Sequence, residues 1–252
     1  MKIGIIGTGA IGGTIAKKMV IAGHDVKVTN TDGGEKLNAR AKELGVNPSS
    51  IEDVVRNVDL IILSVPTLAI LSLPENLFSN APSEVVIVDT TNYYPFRDGE
   101  IEELKNGKVE SIWVSEQLGR PVIKAFNNLL AETLINGGKE QGAENRIAMA
   151  ISGDNEQSKK IISSLANDAG YDVVDAGSLS ESWRHQPGTP AYCTELDLKD
   201  LSHALLDADK DKAAEIRDFV ISKFMDGDAP ASHQEVVNLN RSQFAKNPKT
   251  AI

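Results

Sequence analysis

The sequence predicts a doubly wound α/β fold, a mostly parallel sheet covered by helices, with a smaller α-rich region towards the C-terminus. Two uninterrupted apolar runs, Leu60-Ile61-Ile62-Leu63 and Val85-Val86-Ile87-Val88, suit strands covered on both faces. Strand patterns alternate with helical stripes as far as about residue 174. A glycine-rich turn stands at the first strand-to-helix junction.

In chain order, residues 3–6 form a short strand, and Ile11, Ile15 and Met19 then recur at fourfold spacing, the stripe of a helix ended by Gly23. Residues 26–29 give a second strand, and Leu37, Ala41 and Leu44 mark a helix closed by Gly45. Ser49 with Glu52 makes a capping-box pattern that starts a short helix. Beyond the two apolar runs, strand patterns return at 122–126, 147–151 and 172–174, separated by helical segments near 129–135 and 158–169. From about Glu195 the pattern is helical, with Leu198, Leu201 and Leu205 on one face and Ile216, Val220 and Phe224 on another. From His233 onward, isolated apolar residues among Asn, Gln, Lys and Pro predict a surface segment or a loosely held tail.

Composition narrows the function. Asp and Glu outnumber Lys and Arg by 36 to 26, and no basic block interrupts that balance, which argues against a nucleic-acid partner. Cys193 is the one cysteine, so no intrachain disulfide forms, in keeping with a reducing cytosol. His24, His203 and His233 lack ligand spacing, and no metal site is expected. Met1-Lys2 runs directly into the first strand, and no apolar stretch approaches the roughly 20 residues of a membrane span. The expectation is a cytoplasmic protein with no export signal and no membrane contact.

Gly7-Thr8-Gly9-Ala10-Ile11-Gly12 has G-x-G-x-x-G spacing between a strand and a helix. Gly7 permits the tight turn, Gly9 lets the main chain approach a pyrophosphate, and Gly12 allows the helix to pack on the strand. Free amides at the helix start then face the phosphates. Residues 1–128 thus read as a Rossmann-type NAD(P)-binding domain, and 129–252 as a smaller α/β and helical region offering an acceptor pocket and a dimer contact. Where an acidic residue usually holds a free ribose hydroxyl stand Asn30 and Thr31, which can donate to a 2′-phosphate. Asp32 argues the other way, and Lys36 and Arg40 either reach back or face solvent. The expectation is NADP, with NAD as the alternative.

In an open parallel sheet ligands sit beyond the carboxyl ends of the strands. Those ends read Ser64-Val65-Pro66, Asp89-Thr90-Thr91-Asn92 and Ala125-Phe126-Asn127-Asn128. Ser64 and Asn92 either contact ribose and carboxamide groups or cap the next helix. Phe126 and Asn127 are placed to flank a nicotinamide, the alternative for Phe126 being ordinary core. The segment 183–193 combines aromatics, a histidine and two prolines, and reads as a structured loop. Either it is a wall excluding water during hydride transfer, with Trp183, His185, Pro187 and Tyr192 meeting the acceptor, or it is packed for stability or a dimer contact. His185 is the candidate proton donor; the alternative is a structural, hydrogen-bonded histidine. Cys193 reads as a small buried hydrophobe.

The run from Ile3 to Gly12, with Ser64-Val65-Pro66, Asp89-Thr90-Thr91-Asn92 and Val122-Ile123-Lys124-Ala125-Phe126-Asn127, resembles the coenzyme F-420-dependent NADP oxidoreductases. Their N-terminal domain is shared with pyrroline-5-carboxylate reductases and the cytosolic part of membrane ferric reductases. The last of these segments is the most family-specific, and the resemblance is looser beyond about residue 128. It implies hydride exchange between NADPH and a stacked planar carrier, deazaflavin F-420 or a flavin-like ring, with Thr8, Gly9, Ala10, Ile11, Asn30, Thr31, Ser64 and Asn127 touching cofactor. It also implies a homodimer through C-terminal helices, where Leu201 and Phe224 need burial. Asp32 departs from the family, whose members often carry Arg there. Two other readings stand beside it: a reductase of a small imine or carbonyl compound, which needs a proton donor such as His185, and a protein that binds or senses NAD(P) without turnover.

Overall fold

The computed structural model describes residues 1–79, 81–225 and 230–244. The first half-sheet is β1 (Lys2–Ile6), α1 (Ala10–Ile21), β2 (Asp25–Thr29), α2 (Gly34–Leu44) and β3 (Asn47–Pro48). After α3 (Ile51–Val54) the chain crosses to the other side of β1 and lays down β4 (Leu60–Leu63) and β5 (Val86–Asp89). Three helices the sequence pattern did not announce follow, α4 (Pro95–Asp98), α5 (Glu102–Lys105) and α6 (Glu110–Leu118), and β6 (Ile123–Lys124) closes the sheet. All six strands are parallel, in the order β3-β2-β1-β4-β5-β6. Chain direction across the sheet therefore reverses between β1 and β4, which is where such sheets open a ligand crevice.

The apolar runs are covered on both faces, as expected. Leu60 and Ile62 pack with Ile15 and Met19 of α1, whereas Ile61 and Leu63 pack with Trp113 and Val114 of α6. Alternate residues of a strand point to opposite faces, so one four-residue strand feeds two cores.

Beyond β6 come α7 (Ala131–Asn136), β7 (Ala148–Ile151), α8 (Glu156–Asp168) and β8 (Asp172–Asp175), then α9 (Leu198–Leu206), α10 (Lys210–Met225) and α11 (His233–Ser242). β7 and β8 form a separate parallel pair, tied to β6 by an antiparallel bridge between Lys124 and Ser152. Leu134, Met149, Ile151 and Ile162 share a core cluster with Ile15 and Val28, so the core draws on both sides of position 128.

Two expectations need correcting. The cap of α3 is Ser50, whose Oγ accepts from the Asp53 amide at 3.1 Å, one residue later than the Ser49 pattern suggested. The segment from His233 is a helix rather than a loose tail. Ser232 caps it through the Glu235 amide, Val237 is fully buried, and Arg241 donates to the Thr194 carbonyl at 2.7 Å. The remainder of that segment, 245–252, lies outside the described residues. No helix among the described residues is long and apolar enough to cross a membrane.

Candidate active site

The three glycines of the first turn have different duties. Gly7 adopts φ 103°, donates to the Thr29 carbonyl at 2.8 Å, and would place a Cβ 2.0 Å from the Ser64 carbonyl oxygen. A Cβ on Gly12 would stand 2.1 Å from the Gly7 oxygen. Both positions are closed by backbone packed on backbone. A Cβ on Gly9, by contrast, would meet nothing within 4 Å. The Gly13 amide donates to the Gly9 carbonyl at 2.9 Å, and the amides of Gly9, Ala10, Ile11 and Gly12 have no acceptor among the described residues. Free donors at a helix start, facing open space at a residue without a Cβ, fit a diphosphate.

This turn divides a trough into two arms that share Gly9, Ser64, Val65 and Pro66. The larger arm, about 710 Å³, runs past Gly7, Thr8, Asn30, Thr31 and Asp32. The other, about 350 Å³, is lined by Ala10, Ile11, Thr91, Asn92, Phe126, Asn127 and Tyr192, together with Tyr94, Arg97, Leu129 and Leu130. Gly12 lines neither arm, and Ala125 lies fully buried in the core. Trp183 and Pro187 do not reach the trough. They line a separate cavity of about 300 Å³ beside Lys210 and Arg217. Beside them α10 lies directly on the loop, where a Cβ on Gly188 would stand 1.9 Å from the Ala213 oxygen.

At the end of the larger arm, Asn30 is spent on shaping the loop. Its Nδ2 donates to Thr8 Oγ1 at 2.8 Å, and its Oδ1 accepts from the Asp32 and Gly33 amides at 3.0 and 3.3 Å. Asp32, exposed, keeps its carboxylate on this arm. Arg40 does reach back, but to the glycine turn, donating to the Thr8 carbonyl at 3.3 Å.

On the smaller arm a hydrogen-bond network joins residues far apart in sequence. Asn127 Nδ2 donates to the His185 carbonyl at 2.7 Å and to Asn92 Oδ1 at 3.0 Å, while its Oδ1 accepts from His185 Nδ1 at 2.8 Å. Asn92 Nδ2 donates to the Asn127 carbonyl at 2.9 Å and to Tyr192 Oη at 3.4 Å. Tyr192 and Tyr94 hydroxyls are 2.6 Å apart. Thr91 Oγ1, also on this arm, is buried without a hydrogen-bond partner. Phe126 holds a left-handed backbone, φ 59°, conformational strain of the kind that collects at functional sites.

His185 is therefore not placed as a proton donor. It is fully buried behind Asn127, with Nε2 2.9 Å from Ser152 Oγ, and burial together with the Lys124 cation pulls its pKa down to about 3. The imidazole is neutral at pH 7 and carries its proton on Nδ1, because Asn127 Oδ1 can only accept. Sequence reasoning missed Tyr94 and Arg97. Arg97 is held by both oxygens of the buried Asp98, at 3.1 and 2.7 Å, and donates to the Asn92 carbonyl at 2.7 Å. Asp98, one residue after Arg97, was the available signal.

Beneath these strand ends lies a buried charge cluster. Lys124 Nζ is 3.3 Å from Asp89 Oδ2 and 3.8 Å from Glu110 Oε2, and Lys124 and Asp89 are fully buried. Burial pushes the Glu110 carboxyl up to about 7, against the pull of Lys124 and of the Tyr93 amide that it accepts. The folded chain thus holds the Glu110 proton more tightly than the unfolded chain does. The stability this proton confers is complete below the ordinary value of 4.5 and is lost as pH rises to about 7. Urea unfolding followed across that window should show stability falling with pH in the parent and a flatter profile in Glu110→Gln; parallel profiles would refute the assignment.

Fold and trough together fit a dinucleotide-dependent enzyme of Rossmann type, and comparisons give its class. Residues 2–93 match the family model described as NADP oxidoreductase coenzyme F420-dependent. Protein YjhV of Escherichia coli (strain K12) is 32% identical over 124 residues, 49% of this chain and 82% of that one. The crystal structure of hypothetical protein SMa0349 from Sinorhizobium meliloti superposes with a TM-score of 0.66 at 26% identity, covering 78% of this chain and 95% of that one. A protein from Arthrobacter sp. FB24, provisionally described as an F-420-dependent NADP-reductase, shares the fold, with a TM-score of 0.59, 21% identity, and 72% and 87% of the two chains covered. The chain belongs to the coenzyme F-420-dependent NADP oxidoreductase family and is an NADP-dependent oxidoreductase.

Proposed function

We propose that this chain transfers a hydride between NADPH and a planar electron carrier, deazaflavin F-420 or a flavin, stacked in the smaller arm of the trough. One observation carries this reading: among the residues lining that arm there is no Asp, Glu, His or Lys, and Cys193 is a thiol pushed up to about 12 by burial. A wall with no acid or base titrating near neutrality suits a reaction in which hydride position decides the rate. A bound reduced nicotinamide supplies that hydride. The chain's part is to hold the two reacting atoms about 3 to 3.5 Å apart and to keep water out. Gly9 and the α1 amides would grip the diphosphate, Ser64 and Pro66 the stretch between the arms, and Thr91, Phe126 and Asn127 the nicotinamide end. The reacting atoms would meet against Leu129, Leu130 and Tyr192, so residues beyond 128 would complete the acceptor side. Arg97 adds a cation at the arm, favouring a carrier that bears phosphate.

NADPH oxidation followed at 340 nm with F-420, flavin mononucleotide, a cyclic imine and an α-keto acid tests the reading. Turnover of F-420 or flavin supports it; turnover of the imine or keto acid alone replaces it with the small-molecule reductase.

At the adenosine end the proposed preference for NADP works against Asp32. Two like charges about 4 Å apart in water repel by about 1 kcal/mol. Asp32→Asn should therefore tighten NADPH roughly fivefold and leave NADH little changed. Equal shifts for both nucleotides, read by nicotinamide fluorescence, would place the 2′-phosphate elsewhere. We also propose a homodimer through α10, which has no fully buried residue and exposes Phe219, Phe224 and Met225. Analytical ultracentrifugation showing a monomer at micromolar concentration would refute it.

A further inference from the structure

The network on the smaller arm has a direction. Because the His185 main-chain oxygen can only accept, the Asn127 amide nitrogen must face it, which turns Asn127 Oδ1 towards the His185 Nδ1 proton. Asn127 nitrogen then also faces Asn92 Oδ1, so Asn92 presents its nitrogen to the Asn127 carbonyl and to Tyr192 Oη. Tyr192 oxygen receives that proton and has its own to give. Its neighbours are Tyr94 oxygen, 2.6 Å away, and the Cys193 sulfur, a neutral thiol and a poor acceptor. Tyr192 therefore donates to Tyr94, and the Tyr94 proton is left over on the arm. The Tyr94 ring lies 5.3 Å from the Arg97 guanidinium carbon, a cation that polarises the phenol.

We propose that the Tyr94 hydroxyl donates a hydrogen bond to the electron acceptor, at the oxygen or nitrogen on which negative charge collects when hydride arrives. This rests on the smaller arm being the acceptor site, and it adds a requirement on the acceptor. Its hydride-accepting atom, a carbon in a deazaflavin, an imine or a ketone and N5 in a flavin, must belong to a C=O or C=N group or be conjugated to one. Hydride adds to that atom, its π electrons move to the conjugated or bonded heteroatom, and Tyr94 bonds the charge formed there. The nucleotide is oxidised and the acceptor reduced, with the final proton coming from water. Burial pushes the Tyr94 phenol's pKa well above its ordinary value, so the group stays protonated and works as a fixed donor rather than as a proton source. Asn127, Asn92 and Tyr192 are positioning residues that aim it.

The test uses Tyr94→Phe and Tyr192→Phe with whichever acceptor of the panel the parent reduces fastest. Tyr94→Phe should lower kcat roughly 100-fold, the scale of losing one oxyanion donor. Binding of NADPH, read by its own fluorescence, should stay within about twofold. Oxidised flavin mononucleotide or F-420, or the imine or keto acid if that is what the parent reduces, titrated calorimetrically without nucleotide, should bind roughly tenfold more weakly to this variant. Tyr192→Phe, which leaves the Tyr94 proton in place but unaimed, should lose less, about tenfold in kcat. The proposal is overturned if Tyr94→Phe matches the parent in kcat and acceptor affinity. Turnover of the imine or keto acid but of no carrier would sink the carrier reading alone, with the same variants then read on that compound. A parent inert to the whole panel overturns both.

Discussion

Gly9→Val should fold as the parent does and lose the dinucleotide. The position has φ −67° and ψ −164°, extended backbone that a β-branched residue adopts without strain, and open space where the side chain would go. That space is where we propose the diphosphate lies, so affinity for NADPH and NADH should fall by at least roughly 100-fold, or about 2.7 kcal/mol. Thermal unfolding should move by only a few degrees. Gly12→Val makes the contrast, because its Cβ meets the Gly7 oxygen at 2.1 Å and α1 must lift from the sheet. Calorimetric titration beside a circular-dichroism melt separates the two behaviours. A Gly9→Val protein that holds NADPH as the parent does would show that the diphosphate lies elsewhere.

Lys124→Met should cost about 3–5 kcal/mol of stability, the penalty of stranding a buried partner charge. Asp89 would keep only Ser111 Oγ at 2.6 Å and the Thr91 amide at 2.8 Å, and the Thr91 carbonyl would lose its donor. Adding Asp89→Asn should recover more than half of the loss, since the stranded charge goes with it. Urea midpoints of the single and double variants decide this, and a double variant as unstable as the sum of its parts would deny the coupling. Because Asp89 also fixes the Thr91 amide, the single variant should disturb the smaller arm as well as the core.

The parts of this fold that were legible in the sequence are those whose cause is local. A four-residue apolar strand, a glycine turn between strand and helix, and Gly45 at φ 73° closing α2 each follow from neighbours a few positions away. The same is true of the dinucleotide reading, since Gly7, Gly9 and Gly12 fall within one turn. The α11 helix was obscured because its apolar face is narrow, with Val237 the one fully buried side chain. Its anchor is long-range: His233 Nε2 lies 2.6 Å from Glu195 Oε1. The acceptor side was only half legible for a similar reason. Tyr192 was named but not Tyr94, which lies 98 positions away, and the aim of Asn127 depends on a carbonyl 58 positions downstream. Trp183 and Pro187 misled because aromatic and proline content marks a rigid loop without saying which side of it faces the ligand.

The bridge between Lys124 and Ser152 has a bearing on how the protein behaves outside its intended contacts. β6 is a mere two residues long, and its outer flank exchanges both of its amide–carbonyl bonds with Ser152, at 2.9 and 3.0 Å. An open flank on a parallel sheet is a template to which a stranger's backbone can dock. Here the chain's own later half occupies it, so a fragment cut near position 128 would expose both the sticky flank and the apolar residues that α8 covers. Aggregation during synthesis, before that half has emerged, is the hazard this arrangement leaves to be managed.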